Sequence, residues 1–127
     1  MSDSLRFYKQ WLLLGWAMVA GVIILSLVPV PDMGVDLPSD KLLHLLAYGC
    51  MMGWFVQLFH GSERIYYALG FILLGFAMEL LQGVTSYRMF EWWDAVANGS
   101  GVVLAYLFGF TKFDLLLYRF ERVVRIA

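Results

Sequence analysis

Asp40-Lys41-Leu42-Leu43-His44-Leu45-Leu46-Ala47-Tyr48 sets Asp40, His44 and Tyr48 four residues apart in a largely apolar stretch. On a helix those three side chains share one face. From Tyr48 to Phe59 only Gln57 interrupts the apolar run, and residues 41–59 are long enough to cross a bilayer. Ionisable groups are costly in hydrocarbon, so they turn toward other protein or a water-filled cavity. The stretch therefore predicts a membrane-crossing helix with one polar face directed at its neighbours.

Composition agrees with that reading. The chain has 127 residues, of which 61% are hydrophobic and 15% charged, and its mean hydropathy is +0.73. A soluble domain is less apolar and more charged. The net charge of -1 gives no reason to expect nucleic acid as a partner. One cysteine, Cys50, excludes an intrachain disulfide and reads as a small packing residue in an apolar run.

Working outward, residues 11–30 are uncharged and long enough for a first span. They exceed the usual signal-peptide core and lack a small-residue cleavage pattern, so a retained span is expected. Pro29, Pro31, Gly34 and Pro38 mark a loop. Residues 65–82 and 94–110 give two further spans, separated by a loop rich in aromatics that suits the headgroup level. Gly49 with Gly53, and Gly101 with Ala105 and Gly109, form small-residue ridges for close helix contact. Residues 112–126 place Phe113, Leu116, Leu117, Phe120 and Val124 at helical spacing, the pattern of a helix lying on a membrane surface. The expected fold is all-α: a single polytopic membrane domain over residues 1–127, with four transmembrane helices plus a C-terminal amphipathic interfacial helix.

Charge sets the expected orientation. Arg6, Lys9, Arg64, Lys112, Arg119, Arg122 and Arg125 fall on one side of a four-span chain, and Lys41 and Arg88 on the other. The positive-inside rule then puts both termini in the cytoplasm. Asp40, Lys41, His44 and Tyr48, Glu79 with Gln82, Arg88, and Asp94 with Asn98 gather at the outer face. At about 1.5 Å per residue, His44, Glu79 and Asn98 lie roughly one turn below the helix ends. Agreement in depth among separate helices predicts one site.

Each residue also has a structural reading. Asp40 and Asp94 suit helix N-caps. Lys41 can reach headgroup phosphates, Tyr48 can pack, and Asn98 and Gln82 can hydrogen-bond between helices. Glu79 fits a structural reading least well, because a carboxylate in an apolar helix needs a partner.

Asp40-Lys41-x-x-His44-x-x-x-Tyr48, Glu79-x-x-Gln82, Arg88 and Asp94-x-x-x-Asn98-x-x-Gly101 together resemble the signature of the VanZ-like family of small bacterial membrane proteins. The resemblance runs from about Ser26 to the end of the fourth expected span. This chain has Leu45 where typical members have an aromatic, and Tyr87 where they often have Gly. The family's namesake is associated with low-level resistance to teicoplanin, although most relatives lie outside glycopeptide-resistance clusters. The resemblance implies a multi-pass protein of the bacterial plasma membrane with an outer-leaflet site acting on the cell envelope.

Three functions fit this residue set. In the first, the site binds a membrane lipid or lipid-linked envelope precursor: Arg88 and Lys41 hold phosphate or carboxylate, His44, Tyr48, Asn98 and Gln82 supply neutral hydrogen bonds, and Asp40 joins the binding set. In the second, the protein is a hydrolase or transferase on such a substrate, with His44 as general acid or base and Glu79 or Asp94 as its partner. The stripe has no Ser or Cys nucleophile. In the third, the residues only hold helices together, in an accessory subunit of a membrane partner or a homo-oligomer. No cofactor is expected. One His with several carboxylates suits manganese or magnesium better than structural zinc, but no zinc-like His spacing marks a metal site.

Overall fold

The computed structural model describes residues 5–27, 40–84, 92–111 and 115–126, and these hold five helices. They are α1 (Tyr8–Leu27), α2 (Asp40–Leu58), α3 (Ser62–Val84), α4 (Trp92–Phe108) and α5 (Leu116–Ile126). Each expected helical stretch holds one of them, so the all-α reading stands. The four-span reading does not.

Among the described residues, only α1 and α3 are long and apolar enough to cross a membrane. At 17 described residues, α4 is shorter than either. Asp40, Lys41 and His44 lower the hydropathy of α2, and its apolar half has another use. Met51, Met52, Phe55 and Leu58 are completely buried and form the centre of the protein core. The apolar run of α2 thus packs against protein. The two candidate spans are the opposite case: 11% of the apolar stretch of α1 and 33% of that of α3 is buried. Leu13, Ile24 and Leu25 on α1 and Tyr66, Leu69 and Leu73 on α3 are more than half exposed.

Phe55 anchors an aromatic cluster in this core. Its ring centroid lies 5.0 Å from Phe71, 5.1 Å from Tyr67 and 5.2 Å from Trp16, joining α2 to both α3 and α1. Edge-on and tilted contacts of this kind add to area burial.

The small-residue ridges predicted for α2 and α4 meet each other. A Cβ added at Gly101 would fall 2.3 Å from the Leu45 carbonyl oxygen and 2.9 Å from the Gly49 nitrogen. Here the two helix backbones touch, and only hydrogen fits between them. At the far end of the bundle, Arg64 is 8% exposed and closes both helices. Its Nε donates to the Phe59 carbonyl at 2.6 Å, Nη1 to Gly109 at 2.8 Å and Nη2 to Val56 at 2.9 Å. Terminal helix carbonyls otherwise lack partners, and a planar guanidinium reaches three at once. Nη2 also contacts His60 Nδ1 at 3.0 Å, which brings His60 into this cap.

The C-terminal helix is likewise no free surface helix. The buried Glu121 carboxylate accepts from the backbone N–H of Arg6 at 2.6 Å, from that of Phe7 at 2.9 Å and from Trp11 Nε1 at 2.7 Å. It supplies an N-terminal cap for α1 from the other end of the chain. Gln57 Oε1 accepts from the Leu117 N–H at 3.1 Å, and Leu117 enters the core. Leu116, Phe120, Val123 and Val124 remain exposed.

The contact at Gly101 separates two glycines on one helix. Gly101→Ala is expected to lower stability by about 1–3 kcal/mol, because overpacking there has only backbone to displace. Gly99 has nothing within 4 Å of an added Cβ, so Gly99→Ala is expected to be neutral or to stabilise by up to about 1 kcal/mol through helix propensity. Thermal unfolding of both variants in detergent checks the pair.

Candidate functional site

The first turn of α4 carries Asp94, and Asn98 follows one turn later on the same buried face. Opposite them α2 presents Lys41, His44 and Tyr48, again one turn apart. The third wall is α3, with Gly75 and then Glu79. A Cβ at Gly75 would fall 2.9 Å from Asn98 Cβ and 3.3 Å from Tyr48 Cε2, so the missing side chain admits Asn98 and Tyr48 against α3.

Within this space His44 is held from both sides. Its Nδ1 lies 2.8 Å from Asn98 Oδ1, and its Nε2 lies 3.9 Å from Asp94 Oδ2. Asn98 Nδ2 donates to the Gly75 carbonyl at 3.3 Å. A carbonyl only accepts, so the amide nitrogen faces Gly75 and the amide oxygen faces the imidazole. Neutral His44 then carries its proton on Nδ1 and keeps the Nε2 lone pair for the carboxylate side.

That side is crowded with acid. His44, Glu79 and Asp94 each offer one donor atom, and these atoms all lie within 4.8 Å of one another. Glu79 is 1% exposed and Asp94 5%. Lys41 Nζ lies 3.1 Å from Asp94 Oδ1, with the lysine side chain 44% exposed at the mouth of the cluster. Tyr48 is 2% exposed and lies within electrostatic reach of Glu79. Among the described residues its hydroxyl has no hydrogen-bond partner.

Six of the expected site residues thus converge: Lys41, His44, Tyr48, Glu79, Asp94 and Asn98. Gln82 has a bond that leads elsewhere, its Nε2 donating to the Ser26 carbonyl of α1 at 2.6 Å. That bond joins α3 to the end of α1. Asp40 begins α2, but its side chain lies outside the described residues, as does all of Arg88. The pairing of Lys41 with Asp94 differs from the headgroup contact expected for Lys41. Gly75 carried no signal in sequence beyond being small, because its part depends on which side chain faces it.

Comparison with protein-family models, with curated proteins and with solved structures found no match for this chain. The likeness to the VanZ-like signature therefore rests on the motif residues alone.

Cavity size does not point to this cluster. A groove of about 830 Å³ lies between α2, α4 and α5, lined by Leu46, Cys50, Gly53, Leu104, Phe108 and Phe120 among others. His44, Glu79, Asp94 and Asn98 do not line it. Cys50, expected to be a packing residue, is exposed along this groove. The groove is almost wholly apolar. Chemistry at the cluster is available in three forms: a proton acceptor at His44 Nε2, two carboxylates, and the Lys41 ammonium at the mouth.

Asn98 is the residue whose loss tests the arrangement. Asn98→Ala is expected to cost about 2 kcal/mol, since it strips the Nδ1 partner from His44 and a donor from Gly75. Combined with His44→Gln in a double-mutant cycle, it should show coupling of about 1 kcal/mol, measured by unfolding in detergent. Gln82→Ala paired with the same His44 variant should be additive within about 0.5 kcal/mol.

Proposed function

We propose that this chain is a VanZ-like protein of the bacterial plasma membrane whose polar cluster binds the headgroup of an envelope lipid or lipid-linked precursor. The observation that carries the reading is the convergence of His44, Glu79 and Asp94 from three helices, with Lys41 at the opening. Burying two carboxylates and an imidazole together costs several kcal/mol of desolvation per ion. Apolar residues would hold the helices at less cost. Groups kept at that cost inside an otherwise apolar bundle mark function.

Membrane residence rests on α1 and α3 and on their exposed leucines and aromatics. Trp92 and Trp93, both exposed beside Asp94, suit the headgroup level. Arg6 is held beside Glu121 of α5, and Arg64 meets the end of α4. Those basic ends lie together, away from the cluster, and in this reading they face the cytoplasm along with both termini. Lys41 would leave Asp94 to meet a phosphate or carboxylate, and His44 Nε2 would accept or return a proton at the bound group. A role in glycopeptide susceptibility follows if the ligand is a precursor that such antibiotics depend on.

A purely structural reading has its own support. His44 to Asn98 to the Gly75 carbonyl links α2, α4 and α3 in one chain of hydrogen bonds.

Mass spectrometry of lipids retained by the detergent-purified protein separates the two. The functional reading expects one anionic lipid class in the wild type and at least a tenfold lower occupancy in Lys41→Met and His44→Gln, each still folded by circular dichroism. Equal lipid content in all three, with melting temperature lost instead, supports the structural role.

A further inference from the structure

We propose that His44, Glu79 and Asp94 bind one divalent metal ion, of the manganese or zinc type. The inference deepens the reading of this cluster as a ligand site and rests on it, but it does not depend on which lipid is bound.

Three features carry it. The donor set is one imidazole nitrogen and two carboxylates from three different helices, all within 4.8 Å. Two ligands on one ion stand at most about twice a 2.0–2.2 Å bond apart. The 3.9 Å between His44 Nε2 and Asp94 Oδ2 is already inside that limit, and the widest separation closes by a small side-chain rotation. Mixed imidazole and carboxylate ligands suit manganese or zinc better than calcium.

The imidazole is also prepared as a ligand. Asn98 Oδ1 accepts a hydrogen bond from Nδ1–H and leaves Nε2 directed at the acids. Metal-bound histidines nearly always place their second nitrogen on such a partner, which fixes both tautomer and ring angle.

Independently of the acids, Tyr48 points to a missing ligand. Its side chain sits one turn below His44, against the Gly75–Asn98 wall and near Glu79. It is 2% exposed, and among the described residues its hydroxyl has no hydrogen-bond partner. Buried hydroxyls normally have one. A water or ligand oxygen on an ion at the three donors would supply it.

The ion resolves an electrostatic difficulty in the proposed function. A phosphate-bearing headgroup is repelled by buried carboxylates such as Glu79 and Asp94. A divalent ion neutralises both and offers open positions to phosphate oxygens. It also competes with Lys41, whose ammonium now occupies Asp94 Oδ1.

The test is titration of chelator-treated, detergent-purified protein with Mn²⁺, Zn²⁺ and Co²⁺ in the absence of added lipid. Binding of one equivalent is expected, with visible Co²⁺ absorption from an imidazole-containing site. Glu79→Gln should weaken binding at least 100-fold. Asn98→Ala should weaken it about 10- to 100-fold, as loss of a partner behind a metal ligand does. Lys41→Met should tighten metal binding several-fold while reducing lipid retention, so metal and lipid move in opposite directions. No saturable binding to the wild type overturns the metal site and, if the lipid is still retained, leaves the lipid reading standing. Binding unchanged in a folded Glu79→Gln or Asp94→Asn variant overturns it as well. Metal bound without any lipid retained separates the two in the other direction.

Discussion

The approach of α2 and α4 to backbone contact at Gly101 is the constraint from which the rest of the structure follows. Nothing larger than hydrogen fits between Gly101 and the Leu45 carbonyl. At that separation side chains one turn away must meet directly, and His44 reaches Asn98 while Lys41 reaches Asp94. A wider crossing would leave those groups to water or lipid. Gly75 repeats the device on α3 and brings Glu79 to the same place. Three helices thereby share one polar cluster, and the apolar core around Phe55 offsets the cost of burying it.

The far end of the bundle solves a different problem with the same means. Arg64 satisfies the last carbonyls of α2 and the one following α4, and Glu121 satisfies the first amides of α1. Both are charged groups buried against backbone dipoles rather than against each other. Each removes orphan hydrogen-bonding groups that could not remain bare in an apolar setting. The structure thus has a closed end, where charge is spent on helix termini, and an opposite end where it is gathered around His44.

Much of the cluster was legible because helical spacing is local. Asp40, His44 and Tyr48 at intervals of four, and Asp94 with Asn98, declare shared faces before any tertiary contact is known. The glycine ridges were legible for the same reason. What spacing does not reveal is which faces meet and what lies beyond them. Lys41 seemed directed at headgroups because its partner, Asp94, is more than fifty residues away. Nothing local shows that Arg64 meets the Gly109 carbonyl 45 residues on, or that Glu121 caps the amides of Arg6 and Phe7 more than a hundred residues back. The apolar run of α2 reads as a membrane span in sequence because a buried core helix and a span carry the same composition. A three-helix metal set is hidden for a similar reason: no His pair or short ligand spacing announces it.

The account depends most on His44 holding one tautomer, with Nδ1 bound to Asn98 and Nε2 facing the acids. Nitrogen-15 NMR of the imidazoles in the detergent-solubilised protein reads this directly, with the only other histidine, His60, distinguished by a His44→Gln variant. Above the pH at which the ring loses its charge, a protonated Nδ1 and a bare Nε2 are predicted for His44, and added Zn²⁺ should shift the Nε2 resonance. A proton on Nε2, or rapid averaging of the two tautomers, would contradict the arrangement on which the site is built.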